Sequence, residues 1–228
     1  MAVKKKEGER LDDEHIEKVI AHLENGGTKK EAYDILNIKA NPTRLQKIID
    51  EYHSKVELRS RLRKENRGKP ASNSDIQTII QGALDGESLE SIAESLFRPV
   101  SFVKNIIERV GIPRKLPGEY WDRRYLTSIP DACVATSFSK YEIVWSNKYN
   151  GLAIVLGKDE KGVYQIYVIE KVTVEPEFAL NGKVYTGYGG HHAFQRPEEL
   201  GSLEHLKQYG IDLYKPYRAY FPNWLGKA

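Results

Sequence analysis

The chain opens with apolar residues at helical spacing. Ile16, Val19, Ile20 and Leu23 share one face of a helix whose first turn is acidic, at Asp12, Asp13 and Glu14. Asn25-Gly26-Gly27 stops it. Thr28 with Glu31 three residues on forms a capping box for a short helix over 29–36, with Ala32, Ile35 and Leu36 inward. After a turn at 37–41, Pro42 suits the first turn of a third helix, with Leu45, Ile48, Ile49 and Tyr52 as its apolar face.

The pattern then returns. Ile76, Ile79, Ile80 and Ala83 repeat the first set sixty residues later, Asp85-Gly86-Glu87 replaces the glycine stop, and Ser88 replaces Thr28 as cap. Ile92, Ala93 and Leu96 face inward, with Ala93 matched to Ala32. Arg98-Pro99 makes a shorter turn, and Val103, Ile106, Ile107 and Val110 line a last helix ending at Gly111. Each copy reads as helix, glycine turn, short helix, turn, helix.

Beyond residue 130 the period shortens to that of strands. Strands are expected at 141–145, 152–156 and 163–174, with hairpin turns at 147–151 and 157–162. Asn181-Gly182 marks a hairpin between 177–180 and 183–186. A helix is expected over 197–209 with Leu200, Leu203 and Leu206 inward, followed by an aromatic arm from Ile211 that crosses the sheet. The fold class is thus α+β: an all-α N-terminal part, then a small antiparallel β-rich domain, SH3-like or a twisted sheet, with one C-terminal helix.

Composition separates the same two parts. Of 228 residues, 40% are hydrophobic and 29% charged, as in an ordinary soluble protein. Residues 1–118 carry 22 Lys/Arg against 19 Asp/Glu, which is the whole net charge of +3. All three Trp and 12 of 14 Tyr lie beyond residue 118. The expected division is a basic tail at 1–11, helical copies at 12–56 and 73–111 joined by a basic linker at 57–72, a second linker at 112–130, and the β-rich domain at 131–228. No apolar run reaches membrane-spanning length and the charged N-terminus has no secretory h-region. The single cysteine, Cys133, makes no internal disulfide. The cytoplasm of a bacterial or phage-infected cell is the expected compartment.

Both helical copies resemble the helix-turn-helix of DNA-binding proteins, and the tandem resembles bacterial or bacteriophage regulators. The resemblance covers 12–56 and 73–111. It implies that each third helix presents polar and basic side chains to a major groove. The first offers Asn41, Thr43, Arg44, Gln46 and Lys47, with Lys29 and Lys30 on the preceding helix. The second offers Arg98, Ser101, Lys104 and Asn105. Arg can read guanine, and Asn or Gln can read adenine. The same residue types also make an ordinary solvated helix face.

Between the copies, Lys55, Arg59, Arg61, Arg63, Lys64, Arg67 and Lys69 face only Glu57 and Glu65. Such a run neutralises phosphates without reading sequence. Arg67-Gly68-Lys69-Pro70, and Arg114 and Lys115 within 113–117, resemble short minor-groove arms.

Catalytic signals are sparse. His191-His192 follows a Gly-rich stretch expected as a loop, but neighbours on an extended segment point to opposite sides. Pro130-Asp131 opens a metal-nuclease pattern that lacks its Glu-x-Lys strand, since Glu170-Lys171 is wrongly spaced. There is no phosphate loop and no dinucleotide fingerprint, so no cofactor and no metal is expected. The expectation is a double-stranded DNA-binding transcription regulator, non-enzymatic, whose β-rich domain holds RNA polymerase or another protein through its aromatics. Three alternatives stand beside it. One is a DNA-packaging initiator like a phage small terminase subunit. Another is a metal-dependent nuclease using His191, His192 and Asp131. The last is a protein–protein adaptor.

Overall fold

The computed structural model describes residues 11–116, 129–174 and 185–226. Within these residues six α-helices come first: α1 (Asp13–Glu24), α2 (Lys29–Ile35), α3 (Pro42–Asn66), α4 (Asn73–Asp85), α5 (Leu89–Ser95) and α6 (Val100–Val110). Five strands follow: β1 (Ile143–Ser146), β2 (Gly151–Lys158), β3 (Tyr164–Val174), β4 (Tyr185–Gln195) and β5 (Leu200–Ser202). A four-residue helix, α7 (Pro222–Leu225), comes last.

The internal repeat holds at backbone level. Thr28 and Ser88 each cap a seven-residue helix, accepting from the third amide along. Gly26 and Gly86 both take the left-handed conformation, with φ of 82° and 84°. Asn37 and Phe97 do the same at 52° and 53°. Turn hydrogen bonds repeat too: Ile38 N–H donates to Tyr33 O at 3.0 Å, and Arg98 N–H to Ala93 O at 2.9 Å. The offset of sixty pairs Ala32 with Ile92 and Tyr33 with Ala93, so the expected match of Ala32 with Ala93 is one residue out. The third helices start at a shorter offset because the turn before α3 is longer than the turn before α6.

The expected linker at 57–72 is mostly helix. Nothing breaks the helix before Gly68, whose φ is 76°. Lys, Arg, Glu and Leu are good helix formers, and Arg61 pairs with Glu65 one turn on at 3.7 Å. Helix α3 therefore continues to Asn66.

The chain divides into two units after Gly68, within the first expected linker, and the expected linker at 112–130 lies inside the second unit. The first has its own core of Ile16, Val19, Ala32, Tyr33, Leu36, Ile38 and Leu45. In the second, the α4–α6 trio shares one core with the sheet. Ile79, Ile80, Ile92 and Val103 join Trp145, Ile154, Leu203, Leu206 and Tyr217 in a single cluster. The turn after α6 is tight. Gly111 has φ of 74°, and a Cβ there would lie 2.5 Å from Ala132 Cβ.

The sheet is antiparallel, in the order β4-β3-β2-β1-β5. One face carries Ile143, Trp145, Ile154 and Ile169 into the shared core. The other carries Val144, Ala153, Val155, Ile166 and Val168 into a second cluster. Ser146 Oγ of β1 donates to Gln195 Oε1 of β4 at 2.8 Å, so the sheet curls to bring β1 and β4 together although two strands separate them. The expected strands at 141–145, 152–156 and 163–174 correspond to β1, β2 and β3. The Asn181-Gly182 hairpin and its short strands lie mostly outside the described residues. The expected loop at 187–190 is part of β4, paired along its length with β3.

The helix expected over 197–209 is absent. Pro197–Glu199 and Glu204–Tyr209 are tight 3-10 turns flanking β5. Leu200, Leu203 and Leu206 are all buried, but Leu200 enters the second cluster while the other two enter the shared core. A continuous helix could not serve both. The aromatic arm does pack on the sheet, with Tyr167 edge-on to Phe221 and Trp224, and Tyr188 edge-on to Tyr217.

Candidate nucleic-acid interface

In the first unit, the polar face of α3 lies opposite Leu45, Ile48 and Ile49. Thr43, Gln46 and Lys47 are exposed there, and Arg44 is half-buried. Asn41 is the N-cap, its side-chain oxygen accepting the Arg44 amide at 3.1 Å. Gln46 donates to Asp50 at 2.9 Å, and Lys47 lies 3.7 Å from Glu51. Lys29 and Lys30 are exposed on the first turn of α2. That turn is held by Glu31, which accepts from the Thr28 hydroxyl and amide at 2.7 and 2.9 Å and meets His22 at 3.0 Å. The Thr28 hydroxyl, then its amide, then His22 pull the Glu31 carboxyl down to about 2.

The distal half of α3 is tied to α1. Lys55 reaches the two Asp13 oxygens at 2.8 and 2.5 Å, and Arg59 approaches the same carboxylate at 3.6 Å. Tyr52 donates to Glu17. Beyond that tie, Arg61, Arg63, Lys64 and Arg67 are exposed. Among the described residues, Arg63, Lys64 and Arg67 have no carboxylate within ion-pair distance. The Lys47 and Arg61 pairs are solvent-exposed, so exchanging their carboxylates for phosphates costs little.

The second copy differs. Arg98 is not a groove contact: its side chain is 7% exposed and bonded to Asp75 at 3.0 Å. It also donates to the carbonyls of Lys69 at 3.0 Å and Pro70 at 3.2 Å, and lies over the Phe102 ring. The repeat places it where Ile38 is buried in the first copy, so the backbone turns it inward. Ser101, Lys104 and Asn105 are exposed on α6, with Lys104 3.9 Å from Glu108. Lys69 is exposed.

Arg114 and Lys115 do not form a free arm. Both are half-buried. The Lys115 amide donates to Ala83 O at 3.0 Å, and Leu116 exchanges two hydrogen bonds of 2.9 Å with the Asn150 side chain.

The histidines separate as strand geometry requires. His191 meets Glu170 at 3.1 Å on one side of β4. His192 packs against Tyr167 and Trp224 on the other. Asp131 opens an exposed 3-10 turn elsewhere. Among the described residues no group of three or more His, Cys, Asp or Glu is arranged to hold a metal ion. Cys133 is fully buried, and burial pushes its thiol up to about 12. The chain has no match among protein-family models, curated proteins or solved structures, so its own residues carry the functional assignment.

Proposed function

We propose that the chain is a double-stranded DNA-binding protein that reads DNA with its first helical copy. The observation that carries this is α3 itself. Its first turns expose Thr43, Gln46 and Lys47, α2 exposes Lys29 and Lys30, and α3 continues into the cations Arg61, Arg63 and Lys64. At about 1.5 Å per residue, its 25 residues can lie along a major groove and reach the flanking phosphates. The first turns supply base contacts and the distal half supplies salt-dependent affinity. The second copy is a packing module: Arg98 is internal and α4–α6 are built into the sheet's core. The role is that of a non-enzymatic regulator of transcription. The second unit holds a protein partner such as RNA polymerase through exposed aromatics, of which Phe194 is 62% exposed.

The test is selection of the intact protein on a random duplex pool across a salt series, with and without magnesium. Enrichment of one motif with a steep salt slope is expected. Magnesium-dependent cutting would point instead to a nuclease, and no binding at all to an adaptor.

One observation favours a packaging initiator as the second reading. The distal half of α3 leaves Val56 and Leu58 exposed at 42% and 45%, which suits self-association of a ring. Light scattering decides it: a ring-sized oligomer that binds duplexes without motif enrichment would replace the regulator.

A further inference from the structure

In the second unit a cleft of about 80 Å³ opens where the end of α4, Lys115, strands β2–β4 and the arm after β5 meet. Its floor is Leu84, Leu152, Ile169 and Tyr217, all buried. Tyr217 is 5% exposed, and among the described residues its hydroxyl makes no hydrogen bond although it lines this cleft. Burial, with the Tyr188 phenol and the Asp85 carboxylate nearby, holds that hydroxyl protonated well above its ordinary range. Burial likewise raises Tyr188. Both phenols are therefore donors. The rim adds Lys115 and Lys171, neither within ion-pair distance of a carboxylate among the described residues. Among the described lining residues the one acid, Asp85, already accepts from Gln81 at 2.9 Å.

The Tyr217 hydroxyl is thus open to an acceptor in the cleft, and a cleft this small is far below the roughly 300–1,000 Å³ of an organic-ligand pocket. It has room for a few waters or one ion. Among the described residues, two ammonium groups without an ion-pair partner and two phenol donors surround one engaged carboxylate, which favours negative charge. We propose that this cleft binds an oxyanion of phosphate size, held by Lys115 and Lys171 at the rim and by the Tyr217 and Tyr188 hydroxyls within. The oxyanion is either free phosphate or the phosphoryl end of a larger molecule that projects past Lys171. Bound there, it would bridge helix, sheet and arm.

The test is calorimetric titration of the full chain with inorganic phosphate and with O-phosphoserine, at fixed ionic strength set by chloride. Saturable binding at one site per chain is expected. Lys115→Gln and Lys171→Gln should each weaken it about tenfold, and Tyr217→Phe should weaken it while the fold is retained by circular dichroism. Lys158→Gln, on the β2 end away from the cleft, should leave it unchanged. Tighter binding of phosphoserine assigns the site to a phosphoryl group of a larger molecule, and binding of phosphate alone assigns it to the free ion. Absence of saturable heat with both anions would overturn the proposal. So would wild-type affinity in Lys171→Gln, whose exposed position leaves folding intact even if Tyr217→Phe does not fold.

Discussion

Arg98 and Glu31 are polar residues whose work is structural. Arg98 is enclosed by Asp75, two carbonyls and the Phe102 ring. Removing it leaves Asp75, with its side chain 19% exposed, without its cationic partner and with only the Ser72 amide to donate to it. Arg98→Ala should therefore cost about 3 kcal/mol, seen as a lower denaturant midpoint for the second unit, with duplex affinity unchanged. Glu31 is the acid of the α2 capping box, and its pKa falls from 4.5 to about 2 on folding. A carboxyl depressed in this way stabilises the fold fully above the unfolded value and loses that contribution as pH falls through the window from 4.5 to about 2. The Thr28 and Glu31 amide signals should report α2 fraying in that window. Glu31→Ala, which removes the acceptor, should already show the frayed signals at neutral pH.

At the scale of the element, the proposed function assigns base reading and phosphate neutralisation to one helix, α3. Gln46→Ala should relax preference at one base position, worth about 1–3 kcal/mol, with the salt dependence intact. Arg63→Ala with Lys64→Ala should weaken binding on every sequence and flatten the salt slope by about one unit for each phosphate no longer neutralised. Lys104→Ala on α6 should change neither. Filter binding across salt with selected and scrambled duplexes separates the three outcomes; a loss with Lys104→Ala equal to that with Gln46→Ala would return the second copy to the interface.

For the whole molecule, the division after Gly68 leaves the first unit with a small core of its own, in which Leu45 is 3% exposed. The second unit buries helices and sheet together. Two thermal transitions are expected, the first unit melting earlier. Leu45→Ala should cost about 2–5 kcal/mol and move only the lower transition in calorimetry. Movement of both would mean that the units unfold as one.

The repeat, the caps, the glycine stops and the first three strands were legible in the sequence. Each depends on neighbours within a few residues: a Thr28 four residues from its helix's core face, a Gly26 where the chain needs positive φ, a run of alternating β-branched residues. Arg98 was legible in principle, since the offset of sixty sets it opposite Ile38, but its basic chemistry suggested the surface. Leu200, Leu203 and Leu206 have helical spacing, yet they fill two different cores, because β5 pairs with β1. The union of α4–α6 with the sheet and the meeting of Lys115, Lys171, Tyr188 and Tyr217 belong to the tertiary structure alone. Those groups are far apart in the chain, and no local pattern states which apolar face will find which partner. Periodicity determines that a face must be buried, and packing decides against what.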